Sequence, residues 1–299
     1  SAARAESVIS PSSFSSAAPG VEVIGPGAGL QAADALLVRT QPISAPDVAL
    51  FRMISKHGVG VDNIPMDAAA AAGVTVMNTP GANANAVAEQ ALMLMLTLAR
   101  NLDGQRLAVG PGKSAPRVPG LEGRHLLIVG FGASGRRLAG IAKAVGMAVT
   151  VHSRDLKAAR HAGFPVAPDL IEGLAHADVL SLHCPLNETT RGMINRAALA
   201  ALPQGALLIN CARGGLVDEP ALIAALQSGH LGGAGLDVTV AEPLPQGDPL
   251  RSCPNVILTP HAAALSDGAF RRMGVMAAQN ILDFLAGRPK PEVTLLSRA

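Results

Sequence analysis

The sequence predicts a protein of the α/β class, with two domains of alternating strands and helices around parallel sheets. Three observations predict it. From His125 onward, short runs rich in leucine and β-branched residues alternate with helix-forming stretches: HLLIVG, MAVTVHS (147–153), DVLSLHC (178–184), ALLINC (206–211), GAGLDV (233–238) and NVILTP (255–260). Such alternation is the sequence form of a doubly wound sheet. The first of these runs stops at Gly130, passes Gly132 and Gly135, and continues into residues that suit a helix. Finally, a chain of 299 residues, 49% hydrophobic and 15% charged, is long and apolar enough to bury the cores of two domains.

The elements follow in order. VEVIG (21–25), ALLVRT (35–40), RMISKHGVGVD (52–62) and TVMNTP (75–80) are strand-like runs separated by segments rich in proline, glycine and alanine. ANAVAEQALMLMLTLARNLDGQ (84–105) predicts one helix, with Asn83 or Asn85 as its cap. It is apolar on most faces and is therefore expected to be buried between larger bodies. GPGKSAPRVPG (110–120), with three prolines and three glycines, is a loop or linker near which a second domain starts. The segment 267–287 predicts a long helix ending in glycine that returns to the first domain. No internal repeat is evident.

Composition narrows the partners. A net charge of +2 gives no case for nucleic acid, which needs a concentrated basic face; a small molecule is expected instead. Three cysteines, Cys184, Cys211 and Cys253, form no complete disulfide set and show no CxxC spacing, so a reduced, cytoplasmic protein is expected. SAARAESVIS at the start has no apolar core of signal-peptide length. The longest apolar stretch, from Ala91 to Ala99, is broken by Thr97 and falls short of the roughly 20 residues of a membrane helix. With no tyrosine in the chain, a proton donor must come from another residue type.

The glycines point to a dinucleotide. Gly130 follows the strand, Gly132 lets the backbone approach a pyrophosphate, and Gly135 lets the new helix pack closely on the strand. The helix amino terminus, with Ala133 and Ser134, offers N–H groups and a positive dipole end to phosphates. Ser134 replaces the aliphatic residue common before the third glycine, and serine there suits a helix cap. Eighteen residues past Gly135, at the end of the next strand run, Ser153 and Arg154 occupy the place where the ribose is read. No acid appears there until Asp155. A hydroxyl and a guanidinium suit a 2′-phosphate, so NADP is expected over NAD, with Asp155 on the ribose as the alternative.

Several motifs in order resemble the D-isomer-specific 2-hydroxyacid dehydrogenases, the family of phosphoglycerate dehydrogenase, hydroxypyruvate reductase and glyoxylate reductase. They are KHGVGVDNI (56–64), NTPGANANAVAEQ (78–90), VGFGASG (129–135), LHCPLNETTRGMI (182–194), NCARGGLVDE (210–219), GLDVTVAEPLP (235–245) and TPHAA (259–263). The resemblance implies a Rossmann dinucleotide-binding domain, 98–265, inserted in a flavodoxin-like substrate domain, 1–97 and 266–299, with the site between them, in a homodimer. It implies an NAD(P)-dependent oxidoreductase reducing a small 2-oxo acid to the D-2-hydroxy acid.

The family's roles carry over by position. Arg213 resembles the arginine that holds the substrate's carboxylate and carbonyl, Glu242 its acidic partner, and His261 the acid/base histidine. The amides of Val59 and Gly60 would grip the carboxylate. Cofactor contacts are implied for His183, Cys184, Pro185, Thr190, Cys211, Ala212 and Asp237, with Asp237 as acceptor for the carboxamide; His183 is a lining or structural residue rather than a second acid. No metal is expected. The chemistry suits these types: histidine supplies a proton near neutral pH, a carboxylate on its other nitrogen fixes the tautomer, and the planar guanidinium matches a carboxylate. The loop RTQPIS (39–44) is expected at the distal end of the substrate, where Gln41 gives no sign of a phosphate site; a short acid such as glyoxylate or hydroxypyruvate is preferred. The chain departs from the family in lacking a tryptophan before Gly120 and an evident first strand. Within the same fold, a dinucleotide-sensing corepressor is the alternative; the Arg213, Glu242 and His261 set favours the enzyme.

Overall fold

A computed structural model describes residues 33–296, which form two compact units. The first takes the chain up to Asn83 and from Ser266 on; the second is Ala84–Leu265. The VEVIG run lies outside the described residues.

In the first unit, β1 (Ala33–Val38), β2 (Phe51–Lys56) and β3 (Thr75–Met77) are parallel and adjacent in that order. A short β10 (Thr294–Leu296), not anticipated from so few residues, closes the edge antiparallel to β3. Side chains alternate across the strands. Val38, Ile54 and Val76 face a core with Val48 and Ala69 of α1 (Ala45–Val48) and α2 (Met66–Ala71). Met53 and Met77 face Ile281 of the long helix α10 (Asp267–Leu285). That helix is capped by Ser266 and ends before Gly287 at φ 71°, and it packs on the first unit as expected.

The second unit holds a six-stranded parallel sheet: β4 (His125–Val129), β5 (Ala148–His152), β6 (Val179–Leu182), β7 (Ala206–Asn210), β8 (Leu231–Leu236) and β9 (Val256–Leu258), in spatial order β5-β4-β6-β7-β8-β9. Leu126 and Ile128 face one core, with Leu138 and Ala142 of α5 (Ala133–Ala144). Leu127 and Val129 face the other, with α7 (Leu170–Leu174), α8 (Arg196–Ala201) and α9 (Glu219–Gln227). Helices on both faces explain why the strands read as continuous apolar runs. The order reverses at β4, which has β5 on one side and β6 on the other, so a crevice opens at the carboxyl ends of β4 and β6.

The predicted helix 84–105 is two helices, α3 (Ala84–Ala99) and α4 (Leu102–Leu107). Asn101 takes a left-handed conformation, φ 47°, and its side chain caps α4 through the Gly104 amide. α3 is not surrounded as expected: Ala91, Leu94 and Met95 are buried on the second unit's sheet, whereas Met93 and Leu96 are exposed. Gly235 in β8 makes this approach possible, since a Cβ there would lie 2.8 Å from that of Leu94. All of α3 therefore belongs to the second unit, and the division falls at Asn83/Ala84 rather than after 97. Among the described residues no helix is long and apolar enough to cross a membrane.

Candidate active site

The glycine turn lies in the crevice at β4. Gly130 has φ 101°, and a Cβ on it would meet His183 and the Cys184 backbone at 2.6 Å; a Cβ on Gly135 would lie 2.1 Å from the Gly130 carbonyl oxygen. Both glycines are required by packing at the β4–β6 switch. Gly132 is different. Its φ of −75° suits any residue and no atom stands within 4 Å of where its Cβ would be. It begins α5, and no side chain caps that helix; Ser134, expected to cap, sits inside the first turn. The first-turn amides, including those of Ala133 and Ser134, thus have no capping side chain, beside open space where the backbone admits close approach. These features fit a dinucleotide's pyrophosphate.

Beyond β5, Ser153 is half-buried and Arg154 exposed. Asp155 is used locally: its Oδ1 accepts from the Lys157 and Ala158 amides at 3.0 and 3.2 Å, capping α6 (Leu156–His161).

The β6 end carries His183, Cys184 and Pro185. His183 is held by its amide on Val129 O at 2.7 Å and by its Nε2 at 2.9 Å from Ser181 Oγ. Its Nδ1 is shielded from solvent and makes no hydrogen bond among the described residues. Burial pulls its pKa down to about 4, so the ring is neutral near pH 7. Burial pushes the Cys184 thiol up to about 11 and, with the nearby Asp237 charge, also raises Cys211, so both are neutral thiols near pH 7. Thr190 is occupied within its own loop, donating to Pro185 O at 2.7 Å and accepting from the Asn187 amide at 2.9 Å.

At the ends of β8 and β9, His261 Nδ1 stands 2.7 Å from Glu242 Oε2, and Glu242 Oε1 accepts from the Thr239 amide at 3.2 Å. Burial pushes the Glu242 carboxyl up, but the hydrogen bond and charge of His261, the Thr239 amide and the Arg213 guanidinium together hold it below its ordinary value. His261 has φ 51°, a conformation costly for a residue with a side chain. Its amide donates to Asp237 O at 2.8 Å and Thr259 O at 3.0 Å. Asp237, expected as a carboxamide acceptor, has another duty. It is 1% exposed and accepts from Thr259 Oγ1 at 2.5 Å and from the Ala262 and Ala263 amides at 2.8 and 2.9 Å. Its carboxylate braces the turn that carries His261, with two of these donors on Oδ1 and one on Oδ2.

Arg213 follows β7 and donates to Ala212 O at 2.6 Å. The buried Asn210 shapes this turn, donating to Arg213 O at 2.9 Å and accepting from the Ala212 amide at 3.0 Å. Neither this brace nor Glu219, whose Oε1 accepts from the Val240 amide at 2.6 Å beside Glu242, was singled out from sequence. Both lie in the NCARGGLVDE motif, yet their partners depend on the folded turns. Val59 and Gly60 lie in the first unit, in the loop after β2. Among the described residues, no group of three His, Cys, Asp or Glu side chains could hold a metal ion.

A parallel sheet with a glycine turn at its switch point and an open helix amino terminus defines a dinucleotide-binding α/β protein. The chain belongs to the D-isomer specific 2-hydroxyacid dehydrogenase family: residues 92–263 match the family model described as its NAD binding domain. It is 37% identical over 264 residues to D-3-phosphoglycerate dehydrogenase of Methanocaldococcus jannaschii, covering 85% of this chain and 50% of that one. It is 37% identical over 262 residues to hydroxypyruvate reductase of Thermotoga maritima, covering 83% of each. The chain spans about half the length of the phosphoglycerate dehydrogenases it matches. Among solved structures, the TT0316 protein from Thermus thermophilus superimposes with a TM-score of 0.80 at 37% identity, covering 92% of this chain and 91% of that one.

Proposed function

We propose that the chain reduces a small 2-oxo acid to its D-2-hydroxy acid with a nicotinamide cofactor, NADP(H) in preference to NAD(H). The observation that carries this reading is the 2.7 Å pairing of His261 with Glu242 in the unit that holds the glycine turn. A bound reduced nicotinamide supplies the hydride that reaches the carbonyl carbon. With Nδ1 engaged by Glu242, His261 presents Nε2, which passes its proton to the carbonyl oxygen and leaves a hydroxyl. The Glu242 carboxylate, held ionised, stabilises the imidazolium before transfer and fixes the tautomer after it. Arg213 pairs with the substrate carboxylate and polarises its carbonyl, and the Val59 and Gly60 amides are the carboxylate contacts of the first unit.

The pyrophosphate is assigned to Gly132 and the first turn of α5, and the 2′-phosphate to Ser153 and Arg154. The Asp155 cap supports that choice, because one carboxylate oxygen of the acid near this strand end is engaged by its own helix. His183, Cys184, Pro185, Thr190, Cys211 and Ala212 are assigned to the walls of the nicotinamide half. The proposed protein is a cytoplasmic homodimer. Its cysteines are all thiols, and Met93, Leu96, Leu102, Leu107 and Val109 expose apolar surface that a second copy would cover.

Glyoxylate and hydroxypyruvate are the preferred substrates, after the similarity to the hydroxypyruvate reductase of Thermotoga maritima and the lack of a sign of a phosphate site at Gln41 in the 39–44 loop. A panel of 2-oxo acids, followed by loss of NADPH or NADH absorbance, tests the reading. Turnover of at least one short 2-oxo acid is expected, and no turnover across the panel would reject it.

A further inference from the structure

In the first unit, the amides of Val59 and Gly60 donate to no described residue. Their directions are set from behind. A peptide unit is planar and trans, so its N–H points opposite to the carbonyl it shares. The Gly58 carbonyl accepts from the Thr79 amide at 3.0 Å and from Thr79 Oγ1 at 3.1 Å, which turns the Val59 N–H away from Thr79. The Val59 carbonyl accepts from Asn78 Nδ2 at 2.8 Å, which turns the Gly60 N–H away from Asn78. Gly58 itself has φ 142°, open only to glycine at low cost, and its own amide is held by Thr79 Oγ1 at 3.1 Å.

Asn78 is fixed in turn. Its amide donates to Val293 O at 3.0 Å, and its carbonyl accepts at 2.9 Å from Nδ2 of Asn280, which lies on α10 and is 202 residues away in sequence. Asn78, Thr79 and Asn280 are all buried. Apolar side chains could fill these positions without desolvating amides and a hydroxyl, whereas each side-chain donor of this set ends on the backbone of Gly58, Val59 or Asn78. Asn280, Asn78 and Val59 form one line of hydrogen bonds running from the buried Asn280 to the exposed Val59, and Thr79 grips the peptide before it.

We propose that Asn280, Asn78 and Thr79 form a buried relay that aims the Val59 and Gly60 amides, making them positioning residues for the substrate's carboxylate. The inference rests on the carboxylate-binding role proposed above for those two amides. The relay belongs to the first unit and the cofactor contacts to the second, so disturbing it should weaken 2-oxo acid binding without weakening cofactor binding.

The test uses the full chain with glyoxylate and hydroxypyruvate. Asn280→Ala and Thr79→Val are each expected to raise KM for the 2-oxo acid about tenfold or more, as for a misaligned bond to a charged group. KM for the cofactor should stay within about twofold by the same reasoning. Thr79→Ser, which restores the hydroxyl, should return KM toward wild type. Thermal unfolding run in parallel covers the case in which Asn280→Ala does not fold, since the near-isosteric Thr79→Val then carries the test. A purely structural role would lower the melting temperature and the active fraction while leaving KM unchanged. Unchanged KM in the folded variants, or an equal rise in KM for the cofactor, overturns the relay while 2-oxo acid reduction by the wild type stands. Wild-type protein that reduces neither acid overturns the relay together with the reading beneath it.

Discussion

His261 Nδ1 lies 2.7 Å from Glu242 Oε2, and His261 holds that place with φ 51°. A left-handed histidine is maintained only where its surroundings over-determine it. Here Asp237 supplies that constraint, through its carbonyl on the His261 amide and its carboxylate on Thr259, Ala262 and Ala263. The imidazole is therefore aimed by the backbone and oriented by Glu242.

Glu242→Gln keeps the shape of the pair and removes its charge. Glu242 is held below the ordinary carboxylate range, so the charge is present throughout neutral pH. Without it the imidazole loses the anion that fixes its tautomer and balances the proton it passes on, so the rate of reduction should fall about tenfold or more. Single-turnover rates of wild type and variant check this; equal rates in a folded variant would remove Glu242 from proton handling.

Gly132→Ala separates folding from cofactor binding. The position has open space and an ordinary φ, so stability should change by no more than about 1 kcal/mol. The added methyl would meet the pyrophosphate, and cofactor affinity should fall roughly tenfold or more. Gly135→Ala, against the Gly130 carbonyl at 2.1 Å, should disturb the fold itself. Thermal unfolding and fluorescence titration of reduced cofactor distinguish the two.

His183 predicts a pH dependence of stability. Its folded pKa is about 4 against an ordinary 6.5, so between these values the unfolded chain binds a proton that the folded one does not. Stability should fall as pH drops from 6.5 toward 4, by up to about 3 kcal/mol from this group. Urea unfolding at a series of pH values, compared with His183→Gln, measures it; the variant should lose this part of the slope.

Arg154→Ala addresses cofactor choice. A charged hydrogen bond to a 2′-phosphate contributes roughly 1.5–3 kcal/mol, so the wild type should favour NADPH over NADH in kcat/KM by about ten- to a hundredfold. The variant should lose most of that preference while its NADH efficiency barely changes. Equal or better efficiency of the wild type with NADH would reject the assignment.

The second unit was legible because its central strands β4, β6, β7 and β8 are apolar runs buried on both faces and its glycine turn has a fixed spacing. Gly135 has the packing role its position suggested, and Gly130 is held to glycine by the His183 and Cys184 backbone, which the sequence did not reveal. What was not legible depended on conformation or on distant partners. Asn101 ends α3 by turning left-handed, which helix-forming neighbours do not reveal. Asp237 reads as a ligand contact in a motif, and its bracing of the turn 24 residues on, at His261, appears only in the fold. Asn78 and Asn280 meet only after the chain has passed through the whole second unit. The antiparallel β10 is three residues long, too short to announce itself.

The central claim is that His261 gives the proton that completes reduction, and His261→Asn tests it most directly. The measurement is single-turnover reduction of glyoxylate or hydroxypyruvate under saturating NADPH, with the dissociation constant of NADPH determined on the same preparation. General acid catalysis contributes on the order of 10²–10⁴ in rate, so the rate should fall by that factor while NADPH affinity stays unchanged. A folded variant that keeps more than about a tenth of the wild-type rate would contradict the account.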